Sequence, residues 1–177
     1  VFAGIDLNEK LSDAITSDKK TITATGNSFS SVANGRMQIG VQSITPGDSA
    51  FVLVEHNWAH PDSFKTPNPS YKLSTYHYWK LSGVFPAVFN ATATITYDGR
   101  NTMASGGGYL DNDLMTANNQ EDSIVLMYRK NAGDEWALFP WFTKSPGNPA
   151  DKYGLIKIDS LLLGEYSIAF SFSPLNS

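Results

Sequence analysis

Three histidines, His56, His60 and His77, are the side chains of this sequence best suited to acid–base or metal chemistry. The run Glu55-His56-Asn57-Trp58-Ala59-His60 sets two imidazoles four apart with a carboxylate beside one of them. On a helix both rings would share a face, as zinc ligands do. The order is not H-E-x-x-H, because the glutamate precedes the first histidine. The segment also continues an apolar β-type run and meets Pro61 at once. Along a strand, residues four apart share a face but lie about 13 Å apart, too far to ligate one ion. No metal site is therefore expected at His56 and His60.

Asp111-Asn112-Asp113, with Asp122 further on, starts like a calcium loop. The glycine and closing glutamate at EF-hand spacing are missing. A solvated loop with no cofactor is the expectation, and loop-bound Ca²⁺ at Asp111, Asp113 and Asp122 is the alternative. Gly106-Gly107-Gly108 precedes no helical pattern and has no lysine partner, so a phosphate cradle is not expected. There is no Gly-x-Ser-x-Gly elbow, and no carboxylate pair stands out in an apolar setting. The chain carries no catalytic motif. Of the four tryptophans, Trp79 and Trp136 sit in apolar strand patterns and are expected in the core. Trp58 and Trp141 flank loops; with His60 and Tyr71 they form the candidate binding surface.

These residues need a scaffold, and composition says which. The chain has 177 residues, enough for one large domain or two small ones with a real core. Aromatic residues make up 12% and charged residues 17%, the latter low for a globular chain, and serine and threonine are abundant. That balance favours β structure. The net charge is −4 and no lysine or arginine cluster occurs, so nucleic acid is not an expected partner. There is no cysteine, which excludes disulfides and thiol chemistry. No apolar run reaches membrane-spanning length. Val1 in place of Met and the linker-like Pro174-Leu175-Asn176-Ser177 suggest a piece of a longer precursor.

The apolar pattern is one of short strands. Phe89, Ala91, Ala93, Ile95 and Tyr97 alternate with Asn90, Thr92, Thr94 and Thr96, then Asp98-Gly99 turns the chain. Met37, Ile39 and Val41 alternate likewise, after a hairpin signal at Asn34-Gly35. Phe51-Val52-Leu53-Val54 and Ile124 to Tyr128 are continuously apolar, which predicts strands covered on both faces. Pro140 demotes the strand over 136–142 to an edge or bulge. In the last strand Tyr166, Ile168, Phe170 and Phe172 are expected inward, Ser167 and Ser171 outward. Leu7, Leu11, Ala14 and Ile15 outline one short helical stripe. Thr21 to Thr25 predicts the first strand, Gly26-Asn27 a turn, and Gly108-Tyr109-Leu110 a short strand. The expected fold is all-β: an immunoglobulin- or fibronectin-like antiparallel sandwich of about 8–10 strands. The domain layout is a lead-in over 1–19, one sandwich over 20–173 and a tail over 174–177, with a two-part layout broken near 102–120 as the alternative. Leu161-Leu162-Leu163-Gly164-Glu165-Tyr166 predicts a tyrosine corner, a hydroxyl tied to nearby backbone, with a buried tyrosine after a turn as the alternative.

Several blocks also carry a resemblance. YHYWKLSGVFPAVFNATATITYDGR, over 76–100, resembles a block of the non-catalytic domains of large exported bacterial proteins similar to aminopeptidase-N-type (gluzincin) zinc metallopeptidases. Ser49 to Trp58, Leu110 to Leu114, Glu121 to Arg129 and Gly164-Glu165-Tyr166 are similar too. The peptidase hallmark has no counterpart here, so no catalytic residue carries over. The resemblance implies a C-terminal accessory β-sandwich at the cell surface, in the periplasm or outside the cell. Its implied partners are neighbouring domains of the parent protein, or a peptide or glycan ligand.

Overall fold

The computed structural model describes residues 15–30, 37–100, 110–117 and 120–173. Leu7, Leu11, Ala14, Val32, Asn34-Gly35, Gly106 to Tyr109 and the tail lie outside them, and with them most of the helical stripe and the predicted hairpin. Among the described residues twelve strands occur: β1 (Ile15–Ile22), β2 (Gly26–Ser30), β3 (Met37–Ile44), β4 (Ala50–Asn57), β5 (Tyr71–Leu73), β6 (Tyr78–Val84), β7 (Phe89–Asp98), β8 (Ile124–Arg129), β9 (Ala137–Leu138), β10 (Phe142–Ser145), β11 (Tyr153–Ile158) and β12 (Gly164–Ser171). They build two packed antiparallel sheets, a β-sandwich. The larger runs β1-β4-β6-β12-β8-β9, with β5 also paired to β12; the smaller runs β10-β11-β7-β3-β2. Strands from before and after 102–120 interleave in both sheets, and one apolar core draws on both.

β7 behaves as its alternation demands. Ala91, Ala93, Ile95 and Tyr97 are buried, and the threonines between them are half-buried. Met37, Ile39 and Val41 of β3 face the same core. Ile124 to Met127 are buried on both faces of β8. A second apolar cluster of Leu73, Val125, Met127, Trp136 and Ala169 explains this: it covers the outer face of the larger sheet.

The structure departs from several expectations, the first through that outer cover. Ser167 and Ser171 point outward from β12 yet are buried beneath it. Phe172 falls past the end of β12 and is exposed rather than inward. β4 is not covered on both faces, because it lies one strand from the sheet edge and the cover does not reach it; Phe51 is exposed and Leu53 half-buried. β1 starts at Ile15, inside the predicted lead-in, and ends at Ile22; its polar pattern fits an edge strand. Gly26 opens β2 rather than a turn. Leu110 begins a turn and not a strand. The stretch 136–142 is not one strand. Pro140 offers no N–H to a ladder, and the chain leaves β9 in one sheet to enter β10 in the other.

The tyrosine corner is present. Tyr166 Oη donates to the Leu162 carbonyl at 2.8 Å and accepts the Leu162 N–H at 2.9 Å. Gly164 lets the start of β12 pass close to β8: its φ is +146°, and a Cβ there would lie 2.5 Å from the Arg129 carbonyl oxygen.

Candidate functional site

The residues of catalytic type converge at one end of the sandwich, in a buried chain. His56 lies near the end of β4 on its inward face, and His77, which the aromatic run over 76–81 predicts within a strand, lies just before β6. The two strands pair, so the rings meet: His56 Nε2 lies 2.9 Å from His77 Nδ1. His77 Nε2 lies 2.6 Å from Asp111 Oδ1. Trp58 Nε1 donates to His56 Nδ1 at 3.1 Å. Trp79 walls the chain, stacked on His56 with centroids 4.9 Å apart and meeting His77 edge-on at 4.7 Å. His56, His77 and Asp111 are wholly buried.

An indole N–H only donates. His56 Nδ1 must therefore accept, which leaves the proton of a neutral His56 on Nε2. That N–H donates to His77 Nδ1, and His77 Nε2–H donates to Asp111. The hydrogen bonds all run one way, from Trp58 to the carboxylate.

Asp111 ties this chain to the second sheet. Its Oδ2 accepts the Asp98 N–H at 2.7 Å, and its own N–H donates to the Asp98 carbonyl at 3.1 Å. Asp98, at the end of β7, holds Arg100 through Nε at 2.9 Å and an Nη at 2.8 Å. Asp113 faces elsewhere: its Oδ2 accepts Thr75 N–H at 3.2 Å and Thr75 Oγ1–H at 2.5 Å, with Lys72 Nζ at 3.5 Å. Asp122 is exposed in a separate 3-10 turn, Glu121–Ser123. The three candidate calcium ligands thus serve three different local arrangements. Among the described residues no cluster of three or more His, Asp or Glu is placed to hold a metal.

A second buried carboxylate lies in that 3-10 turn. Glu121 Oε2 accepts Tyr97 Oη–H at 2.6 Å, and Oε1 accepts Lys152 N–H at 2.7 Å. Burial first, and then this hydrogen bond, push the Tyr97 phenol far above its ordinary range. Lys144 Nζ donates to the Asp122 carbonyl at 2.5 Å.

The candidate binding surface does not form one platform. Trp58 is 39% exposed and Trp141 53%. β4, which ends beside Trp58, and β9, which precedes Trp141, are four strand spacings apart, about 19 Å. Tyr71 is half-buried against the outer cluster, so its ring is packing surface. His60 is exposed beside Trp58 and contacts the Pro61 carbonyl through Nδ1. Trp141 meets the buried Phe139 edge-on at 5.7 Å. Phe139, Pro140, Phe142, Lys144 and Asp122 line a neighbouring cavity of about 560 Å³. Trp79 and Trp136 are buried, as their patterns predict.

The proline-rich segment after Trp58 is pinned from β8 and the loop beyond it. Arg129, almost wholly buried, reaches Glu165 at 2.6 Å and Asp62 at 3.1 Å, and lies 4.4 Å over the Trp136 ring. Trp136 Nε1 donates to the Asp62 carbonyl at 2.9 Å. Thr66 N–H, then Lys65 and Trp136 N–H, hold the Glu135 carboxyl below its ordinary range.

Neither a family model, nor a curated protein, nor a solved structure is similar enough to place it in a family.

Sequence reasoning named His77 only as a histidine and Tyr97 and Asp98 only as strand and turn residues, and it gave Glu121 no role. Each gains its role from a partner on another strand or loop, and no local spacing marks such pairs. Trp58 next but one after His56 was the only short-range signal of the chain.

Proposed function

We propose that this chain is a non-catalytic accessory module, an immunoglobulin-like sandwich within a larger exported bacterial protein of metallopeptidase type. It packs on a neighbouring domain or holds a peptide or protein partner. The observation that carries this reading is the fate of the chemical side chains. His56, His77 and Asp111 are consumed in a closed, buried chain that ties one sheet to the other. A general base needs access to its substrate proton, and these groups face each other. The Tyr166 corner supports the immunoglobulin-like class. The exported, metallopeptidase-linked setting rests on the resemblance of the 76–100 block. The test is an assay of the purified chain against peptide and ester substrates, with metal analysis. Hydrolysis that is lost on His77→Gln or Asp111→Asn would overturn the reading.

Trp141 favours a second reading, a carbohydrate-binding module. More than half of this residue is exposed, and it is braced by Phe139 beside a cavity with Lys144 and Asp122 on its wall. Sugar rings stack on such aromatic faces, and polar neighbours take their hydroxyls. A glycan array decides. Binding lost on Trp141→Ala or Trp58→Ala supports the module, and silence across the array removes it.

A further inference from the structure

The one-way chain from Trp58 to Asp111 has room for only two imidazole protons, and this carries a consequence for acid. Its four ring nitrogens face, in order, the Trp58 N–H, each other, and the Asp111 carboxylate. Two protons fit without conflict, one on each Nε2. A third proton has four arrangements, each leaving one nitrogen bare. If the bare nitrogen is His56 Nδ1 or His77 Nε2, two N–H groups meet at the His56–His77 contact. If it is His56 Nε2 or His77 Nδ1, then His56 Nδ1–H meets the Trp58 N–H. Every three-proton state therefore breaks a link.

We infer that acid releases the Trp58 side chain from His56, so that the Trp58–His56–His77–Asp111 chain is a pH-sensitive switch on the surface at the end of β4. The charge belongs on His77, whose Nε2 is 2.6 Å from the Asp111 carboxylate. The other groups around the pair leave that choice in place. Trp79 stacks on His56 and meets His77 edge-on. Ser74 Oγ accepts the His77 backbone N–H at 3.4 Å. The Asp98 carboxylate is held by Arg100, and the Asp113 carboxylate by Thr75. Glu55 and Lys80 pair with each other at 3.6 Å on the outer face.

With both His77 nitrogens protonated, His77 Nδ1–H must donate to His56 Nε2. His56 then moves its own proton to Nδ1, where it meets the Trp58 N–H. Three members of the chain are wholly buried and Trp58 is partly exposed, so Trp58 is the member that can leave for water. One solvent proton taken up at His77 is thus relayed by a tautomer change at His56 into the release of a surface indole. The switch is independent of which ligand the surface takes.

The test follows the four indole N–H cross-peaks of the ¹⁵N-labelled chain from about pH 7.5 to about pH 5, the range in which imidazole titrates. The expected result is that the Trp58 peak moves towards the position of a free indole. The Trp136 peak, bonded to the Asp62 carbonyl, stays in place. In His56→Gln the Trp58 movement is abolished, because the amide cannot change its proton count. A Trp58 peak that stays fixed down to the pH of unfolding overturns the inference, as does equal movement in His56→Gln. If His56→Gln does not fold, the wild-type titration decides alone.

Discussion

Two carboxylates cross from one sheet to the other near the end of β7, and they do so with different partners. Asp111 reaches the larger sheet through two imidazoles and an indole, while its other oxygen holds the Asp98 backbone. Glu121 precedes β8 of the larger sheet and reaches the smaller through the Tyr97 phenol and the Lys152 backbone. Both carboxylates are buried and both close the same end of the core. The difference lies in what can titrate. An imidazole changes charge between about pH 5 and 8, and a phenol does not. The first crossing is built to respond to acid, the second to hold.

The largest effect should come from cutting the first crossing. Asp111→Ala removes the acceptor of both His77 and the Asp98 N–H, leaving buried donors unpaired. It should cost about 3–5 kcal/mol in urea unfolding at neutral pH. A cost below about 1 kcal/mol would mean that Asp111 does not join the sheets. Next, Glu121→Ala should cost about 2–4 kcal/mol by the same measurement, from the Tyr97 hydroxyl and Lys152 N–H it orphans.

Tyr97→Phe is smaller, about 1–3 kcal/mol, and sharpens the contrast through pH. Burial raises the phenols of Tyr97 and Tyr166 above their ordinary range, with Glu121 adding to the first. An unfolded tyrosine ionises near pH 10. Folded Tyr97 and Tyr166 stay protonated past that point. Their contribution is complete below about pH 10 and declines as pH rises beyond it. Stability curves at about pH 10 and 11 should therefore fall less steeply in Tyr97→Phe than in the wild type. The local corner ranks below: Tyr166→Phe should cost about 1–2 kcal/mol. Trp58→Phe, at the exposed end of the first crossing, should change neutral-pH stability by about 1 kcal/mol or less.

Much of the sandwich was legible along the chain, and the crossings were not. β7 and β3 show period-two alternation because one face of each meets the core, and burial on that face needs no knowledge of the partner. Pro140 marked a weak point in the strand expected over 136–142, because a missing N–H is a local property, but not the change of sheet there. The Tyr166 corner was legible because its bond spans four residues. The outer cover was not, since Leu73, Val125, Trp136 and Ala169 come together from four separate segments. That is also why Ser167 and Ser171 looked solvated. His77 looked like one more aromatic strand residue, and Asp111 like one more loop carboxylate. Their pairing depends on the turn over 110–114 folding back onto the end of β7, which nothing in the local sequence states.

The proton positions on His56 and His77 test the account most directly. Long-range ¹H–¹⁵N correlation spectra of the imidazole rings at neutral pH read them without any substitution. The one-way chain predicts that both rings carry their proton on Nε2, with His56 Nδ1 accepting from Trp58. A proton on Nδ1 of His56 at neutral pH would contradict it, because the Trp58 N–H would then have no acceptor there and the chain to Asp111 would run differently.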